Sequence, residues 1–196
     1  HNLGIDELLS EITKGMEEDI TPVNDNLKFC IIGRPNVGNS SLINALLGTE
    51  RAIVSDVSGT TRDAVDTDFR YNGEKYTVID TAGMRKKGKV YENIEKYSVI
   101  RSLKAIERSD VCCVVINAEE GIIEHDKHIV SYAINTGKAV VLVVNKWDTI
   151  TDFDTALKDW KQKIKNEFQF IPYVETVYLS AKTKKRVSML MPAIIR

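Results

Sequence analysis

The chain has 196 residues, 43% hydrophobic and 28% charged, with a formal net charge of −1 at pH 7. That composition suits one medium α/β domain able to bury a sizeable core. A near-neutral balance gives no global electrostatic argument for nucleic acid, so no DNA partner is expected and RNA contact would rest on local clusters. No apolar run approaches the length of a membrane span, so no membrane partner is expected either. Cys30, Cys112 and Cys113 lie in the apolar runs LKFCIIG and VCCVVIN. Without CxxC or Cys/His spacing they read as reduced core thiols of a cytoplasmic protein. His1 is not a natural start and nothing resembles a signal peptide, so a fragment is expected.

In chain order, residues 3–16 carry Leu8, Leu9, Ile12 and Met16 at helical spacing. Residues 17–26 are acidic and turn-forming and read as a linker. From residue 27, strand and helix signals alternate. Strands are expected over 27–33, 66–71, 75–80, 111–117, 139–144 and 174–179. Those over 66–71 and 75–80 flank an Asn72-Gly73 turn, the mark of a hairpin. Helices are expected over 40–47, 93–109, 124–136, 154–168 and 187–195. The helix over 93–109 should present Ile94, Tyr97, Val99, Ile100, Leu103 and Ile106 as a wide apolar face. The expected fold is α/β: a mostly parallel six-stranded sheet with one antiparallel strand and helices on both faces. Ligands of such sheets sit at the carboxyl ends of the strands. Val187, Leu190, Met191 and Ile194 also align with Ile5, Leu8, Leu9 and Ile12. Either two amphipathic helices are alike by chance, or residues 1–16 are the last helix of a preceding domain of the same kind.

Four motifs carry chemistry. Gly33-Arg34-Pro35-Asn36-Val37-Gly38-Asn39-Ser40, followed by Ser41, joins a strand to a helix. It fits the phosphate-loop pattern G-x-x-x-x-G-K-[ST] except that Asn39 stands where lysine belongs. Glycines let the backbone wrap a phosphate, helix N-terminal amides face its oxygens, and Ser40 can put a hydroxyl on Mg²⁺. A purely structural glycine turn is the other reading. Asp80-Thr81-Ala82-Gly83 ends the second hairpin strand. Asp80 can hold the hydration shell of Mg²⁺, and the Gly83 amide can sense a γ-phosphate. Asn145-Lys146-Trp147-Asp148 ends another apolar strand. The Asp148 carboxylate can accept from guanine N1–H and the 2-amino group, neither of which adenine offers. Asn145 can brace neighbouring loops, and the Lys146 stem can lie along the base. Ser180-Ala181-Lys182 ends the last strand, where a backbone amide can meet guanine O6. Each tetrapeptide alone could be a turn. Their order, with each at a strand's carboxyl end, points to a guanine nucleotide. Between the first two motifs, the polar loop Ser55–Asp63 contains Thr60 and Thr61. A threonine here could ligate Mg²⁺ when GTP is bound and release it afterwards, as an order–disorder switch.

Together, GRPNVGxS, GTTRD, DTAGMRKKGKV, EKYSVIRSLKAIERSDV, NKWD and SAKTKKR resemble the second GTPase domain of the Der (EngA) family of tandem bacterial GTPases. The resemblance covers residues 27–196. It implies a P-loop NTPase of the Ras-like G-domain class, GTP hydrolysis to GDP and phosphate, and a part in large-ribosomal-subunit assembly. The implied partners are the large ribosomal subunit or its precursor rRNA, a preceding GTPase domain whose last helix would be residues 1–16, and a following KH-like domain beyond Arg196. It also implies that Met84 stands where other GTPases carry a water-positioning glutamine, that Asn36, Ser55, Val57 and Thr60 would ligate K⁺, and that Thr61 would ligate Mg²⁺. Asn36, Thr61 and Gly83 are then the implied catalytic positions. Involvement in tRNA modification or small-subunit assembly is a third reading, disfavoured by the tandem remnant.

Asn39 is the departure. Asparagine is short and neutral and cannot place an ammonium between β- and γ-phosphates. Nucleotide binding should be weakened and hydrolysis weakened more, or the domain could hold GDP without hydrolysing GTP. Two basic clusters, Arg85, Lys86, Lys87 and Lys89 and then Lys182, Lys184, Lys185 and Arg186, read either as solvated surface or as RNA contacts. His125 and His128 lack partners at metal-ligand spacing, and Trp147 and Trp160 read as packing residues.

Overall fold

A computed structural model describes residues 26–54, 66–81 and 94–196, with the backbone alone for 94–99. The apolar run LKFCIIG forms β1 (Leu27–Gly33), and the phosphate loop leads from it into α1 (Asn39–Leu47). β2 (Ala52–Val54) precedes the hairpin of β3 (Thr67–Tyr71) and β4 (Glu74–Ile79). Asn72 at φ 51° and Gly73 at φ 91° supply the left-handed pair that its two-residue turn needs. Then come α2 (Ile94–Glu107), β5 (Val111–Asn117), α3 (Glu124–Asn135) and β6 (Ala139–Asn145). The chain ends with α4 (Phe153–Glu167), β7 (Glu175–Tyr178) and α5 (Leu190–Ile195).

The strands form one sheet in the order β2-β3-β4-β1-β5-β6-β7. β3 pairs antiparallel with both neighbours, and every other pairing is parallel. The single antiparallel strand is as expected, but the sheet has seven strands rather than six. The extra strand, β2, is a three-residue edge piece whose Ile53 is 68% exposed. It is too short for any period to show, and it packs too little surface to demand an apolar pattern.

Alternation along β1 divides the core. Phe29 and Ile31 face one side with Leu42 and Leu46 of α1 and Leu190 and Ile194 of α5. Cys30 and Ile32 face the other with Ile106 of α2, Val130 of α3, and Trp160 and Ile164 of α4. Helices therefore cover both faces, as the sequence pattern requires. All three cysteines are free and buried, and burial pushes the Cys113 thiol well up.

Two helices differ from expectation. Residues 187–195 are not one helix but a 3₁₀ turn, Val187–Met189, followed by α5. Pro192 explains the break. In one continuous helix its missing N–H would have to bond the Ser188 carbonyl, whereas as the third residue of α5 it lies where amides have no intrahelical partner anyway. On α2, Ala105 and Ile106 are buried but Ile100 is 54% exposed, so the buried stripe is narrower than expected. The expectations for residues 1–25 lie outside the described residues.

Candidate nucleotide-binding site

The carboxyl ends of β5 and β6 are level, with Asn117 beside Asn145, and β1 ends two residues short of them, with Gly33 beside Val115. Three of the four motifs meet above them, and Asn145 joins them. Its side chain is buried; Nδ2 donates to the Val37 carbonyl at 2.7 Å, and Oδ1 accepts from the Ala181 amide at 2.9 Å. One carboxamide thus ties the phosphate loop to the loop after β7. The Trp147 amide donates to the Leu179 carbonyl at 3.1 Å, which closes the bracket from the other side.

Two glycines shape the phosphate loop. At Gly38 the backbone has φ 106°, and a Cβ would stand 2.3 Å from Asn145 Nδ2. At Gly33 a Cβ would stand 2.5 Å from the Val115 carbonyl oxygen. Pro35 and Asn36 are exposed at the tip, with Asn36 at φ 66°. Ser40 and Ser41 lie in the first turn of α1, where amides have no intrahelical partner. A backbone pared to glycine beside a helix N-terminus fits a phosphate group. Gly38→Ala should cost at least ~1–2 kcal/mol from the left-handed backbone alone, plus displacement of Asn145. We expect GDP affinity to fall at least about tenfold in fluorescence titration, and unchanged affinity would remove the loop from the site.

Asn39 turns back on its own loop. Nδ2 donates to the Gly33 carbonyl at 2.9 Å and reaches the Arg34 carbonyl at 3.5 Å. Oδ1 is buried and without a hydrogen-bond partner. Arg34 is the nearest cation in sequence, but it points elsewhere. Its guanidinium donates to Glu120 at 2.6 Å, to the fully buried Asp126 carboxylate at 3.1 Å, and reaches the Gly121 carbonyl at 3.5 Å. Arg34, then the Asn117 amide, holds the Glu120 carboxyl below its usual range. Asp126 also accepts from the Ile123 amide at 3.1 Å, at the start of α3.

In the loop after β6, Lys146 has φ 63° and Asp148 is exposed. Ser180 and Ala181 are buried, and Lys182 is exposed. Trp147 packs edge-on against Tyr178, Phe153 and Trp160, so both tryptophans are packing residues. Burial pushes the Tyr178 phenol up to about 12.

Asp80 follows β4 at φ 62°, a left-handed conformation that Asp tolerates. Its amide donates to Asp66 Oδ1 at 2.9 Å, and Arg108 pairs with the other Asp66 oxygen. Arg101 pairs with both oxygens of the Asp80 carboxylate. Next to it, the Thr81 and Thr67 hydroxyls share a buried hydrogen bond of 2.7 Å. Ser40 and Asp80 offer the hard oxygen donors that suit Mg²⁺, and Asn36 offers a carboxamide oxygen that suits K⁺. Ala82, Gly83, Met84, Ser55, Val57, Thr60 and Thr61 lie outside the described residues.

Sequence reading missed Asp66, Arg101, Arg108, Glu120 and Asp126. The seven-residue spacing of Arg101, on α2, and Arg108, in the turn just past its end, was the available signal there. His125 and His128 are exposed on α3.

Residues 28–146, more than half the chain, match the family described as 50S ribosome-binding GTPase. The chain belongs to that family. Among its relatives, GTPase Der of Bacillus cytotoxicus is 57% identical over 198 residues, covering 99% of this chain and 45% of that protein. GTPase Der of Staphylococcus saprophyticus is 56% identical over 196 residues, with the same two coverages. This GTPase-family chain thus spans a little under half the length of the curated relatives it matches. Among solved structures, Era in complex with MgGDPNP and nucleotides 1506–1542 of 16S ribosomal RNA superposes with a TM-score of 0.65 at 28% identity, over 86% of this chain and 55% of Era. Elongation factor SelB of Methanococcus maripaludis with GppNHp shares the fold, with a TM-score of 0.64 at 18% identity, over 87% of this chain and 33% of SelB.

Proposed function

We propose that this chain is the guanine-nucleotide switch domain of a cytoplasmic ribosome-assembly GTPase, hydrolysing GTP to GDP and phosphate at a rate reduced by Asn39. The observation that carries this reading is the Asn145 carboxamide, bonded to both the phosphate loop and the Ser180-Ala181-Lys182 loop. It holds together, at one end of one sheet, the two loops that this reading makes the phosphate cradle and the base pocket. In this reading residues 33–41 receive the phosphates, Asp148 selects guanine, and Lys146 covers the base. Ser40, Asp80 and Thr61 would hold Mg²⁺, and Asn36, Ser55, Val57 and Thr60 would hold K⁺. When bound, these cations neutralise charge on the phosphate oxygens. Gly83 would sense the γ-phosphate. Residues 1–16 and 17–26 would be the last helix of a preceding GTPase domain and its linker, with a KH-like domain following. The large ribosomal subunit or its precursor rRNA is the proposed partner, supported by the family description and by the RNA complex of Era.

Asn39 favours a second reading, a domain that holds GDP and hydrolyses nothing. Its amide is spent on the Gly33 carbonyl, and Arg34 is committed to two carboxylates. Single-turnover GTP hydrolysis in KCl and in NaCl separates the two. A K⁺-stimulated rate supports the switch, and no hydrolysis with retained GDP binding leaves the scaffold. Asp148→Asn tests the base pocket. One acceptor becomes a donor facing guanine donors, so GDP affinity should fall about tenfold to a hundredfold. Affinity for xanthosine diphosphate, which carries a carbonyl where guanine has its amine, should rise. A variant that keeps GDP and still rejects xanthosine diphosphate would place the base elsewhere.

A further inference from the structure

The Asp80 carboxylate is the group that the proposed function gives to the hydration shell of Mg²⁺, and it is already paired. The Arg101 guanidinium meets both of its oxygens, the Nε contact at 2.5 Å. This two-pronged geometry is the strong form of the arginine–carboxylate pair. The Asp80 side chain is 16% exposed and that of Arg101 is 44% exposed, so one partner is shielded and the other can swing out into water.

The surroundings hold Asp80 from the other direction. Its amide is tied to Asp66 Oδ1, and Asp66 is paired with Arg108. Arg101 stands on α2 and Arg108 directly follows its last residue, so the two arginines hold the end of β4 at two points, Arg101 directly and Arg108 through Asp66. The Arg108 grip reaches the Asp80 backbone amide through Asp66. The Arg101 grip takes the carboxylate itself. A guanidinium and a divalent cation at one carboxylate repel each other, so each weakens the other's hold.

We propose that Arg101 is a latch that competes with Mg²⁺ for Asp80, so that loading the metal with the nucleotide releases Arg101 and frees α2 from the end of β4. This inference rests on the nucleotide reading of the site. By reciprocity, whatever holds Arg101 on Asp80 weakens Mg²⁺ binding, and Mg²⁺ weakens the hold of Arg101 by the same factor. The metal would see only the unlatched fraction of the protein, which raises its apparent dissociation constant.

The test uses the chain with a fluorescent GDP analogue. Affinity is measured first in EDTA, then the slowing of GDP release is followed as Mg²⁺ is added, for the parent, Arg101→Gln, Arg101→Lys and Arg108→Gln. Arg101→Gln removes the charge and should lower the Mg²⁺ concentration for half-maximal slowing about threefold to tenfold. Arg101→Lys keeps a charge but loses the fork and should fall between. Arg108→Gln should loosen the end of β4 without lowering the Mg²⁺ requirement. An unchanged or raised Mg²⁺ requirement in Arg101→Gln would overturn the latch, a raised one meaning that Arg101 orients Asp80 for the metal. Failure of every variant and the parent to bind GDP, with or without Mg²⁺, would instead overturn the nucleotide reading. Melting of the nucleotide-free proteins in EDTA shows whether each variant is folded. There Arg101→Gln and Asp80→Asn should each lower the melting temperature, and the double variant should lower it no further than the larger single effect.

Discussion

Asn145→Ala is expected to bind GDP at least about thirtyfold more weakly than the parent chain, and to melt at a lower temperature without nucleotide. The truncation removes both partners of one buried bracket. The Val37 carbonyl loses its donor at 2.7 Å, and the Ala181 amide loses its acceptor at 2.9 Å. Each buried polar group left unpaired costs about 1–3 kcal/mol, so the two together cost ~2–5 kcal/mol. The part of that cost that water repays in the free protein must be met again when a ligand closes the site, so affinity suffers as well as stability. The side chain also fills space beside Gly38, where a Cβ would come within 2.3 Å of its Nδ2. Removing it leaves a gap beneath the loop that should remain one shape. Calorimetric titration with GDP checks the first part and thermal melting the second. GDP affinity within twofold of the parent would show that the phosphate and base loops do not act as one site.

The runs VCCVVIN and AVVLVV declare their strands because they are buried on both faces by helices, and continuous apolar residues are the mark of that burial. The motifs declare the loops because the backbone there needs particular residues. Gly38, Asn36, Asp80 and Lys146 all have positive φ, three of them residue types that write such turns into a sequence. What was not legible is what charged residues do at a distance. Arg34 and Asp126 are 92 positions apart, yet the pair decides that Arg34 is unavailable to a ligand. A sequence read alone assigns charges to the surface, and Asp126, with no exposure at all, breaks that rule because its oxygens have two donors. Arg101 was hidden for another reason. Its helix was read for its apolar face, and the pair with Asp80 depends on where that helix ends up against β4. The edge strand β2 escaped because three residues carry no period.

Asn39→Lys is expected to raise kcat/KM for GTP about tenfold to a hundredfold. In the parent chain the Asn39 amide turns back to the Gly33 carbonyl, and its oxygen is buried without a partner. Nothing in that arrangement offers positive charge to a phosphate. A lysine stem is longer by two bonds, and its ammonium can pass the Gly33 carbonyl and reach β- and γ-phosphate oxygens. Ground-state affinity should rise because those oxygens are already anionic. The rate should rise further because charge moves toward the β–γ bridge as the bond breaks. A charge-assisted contact contributes about 1.5–3 kcal/mol, which is the stated range. Without nucleotide, two effects oppose each other: the unpaired Asn39 oxygen is removed, and a cation is placed among helix N-terminal amides that disfavour it. Melting temperature is therefore a poor readout, and the kinetic comparison at fixed Mg²⁺ and K⁺ is the decisive one. Arg34 does not compensate in the parent, because its guanidinium is held by Glu120 and Asp126. An unchanged kcat/KM would then mean that a cation other than Arg34 already stands in for the lysine, or that residues 33–40 do not hold the phosphates during hydrolysis.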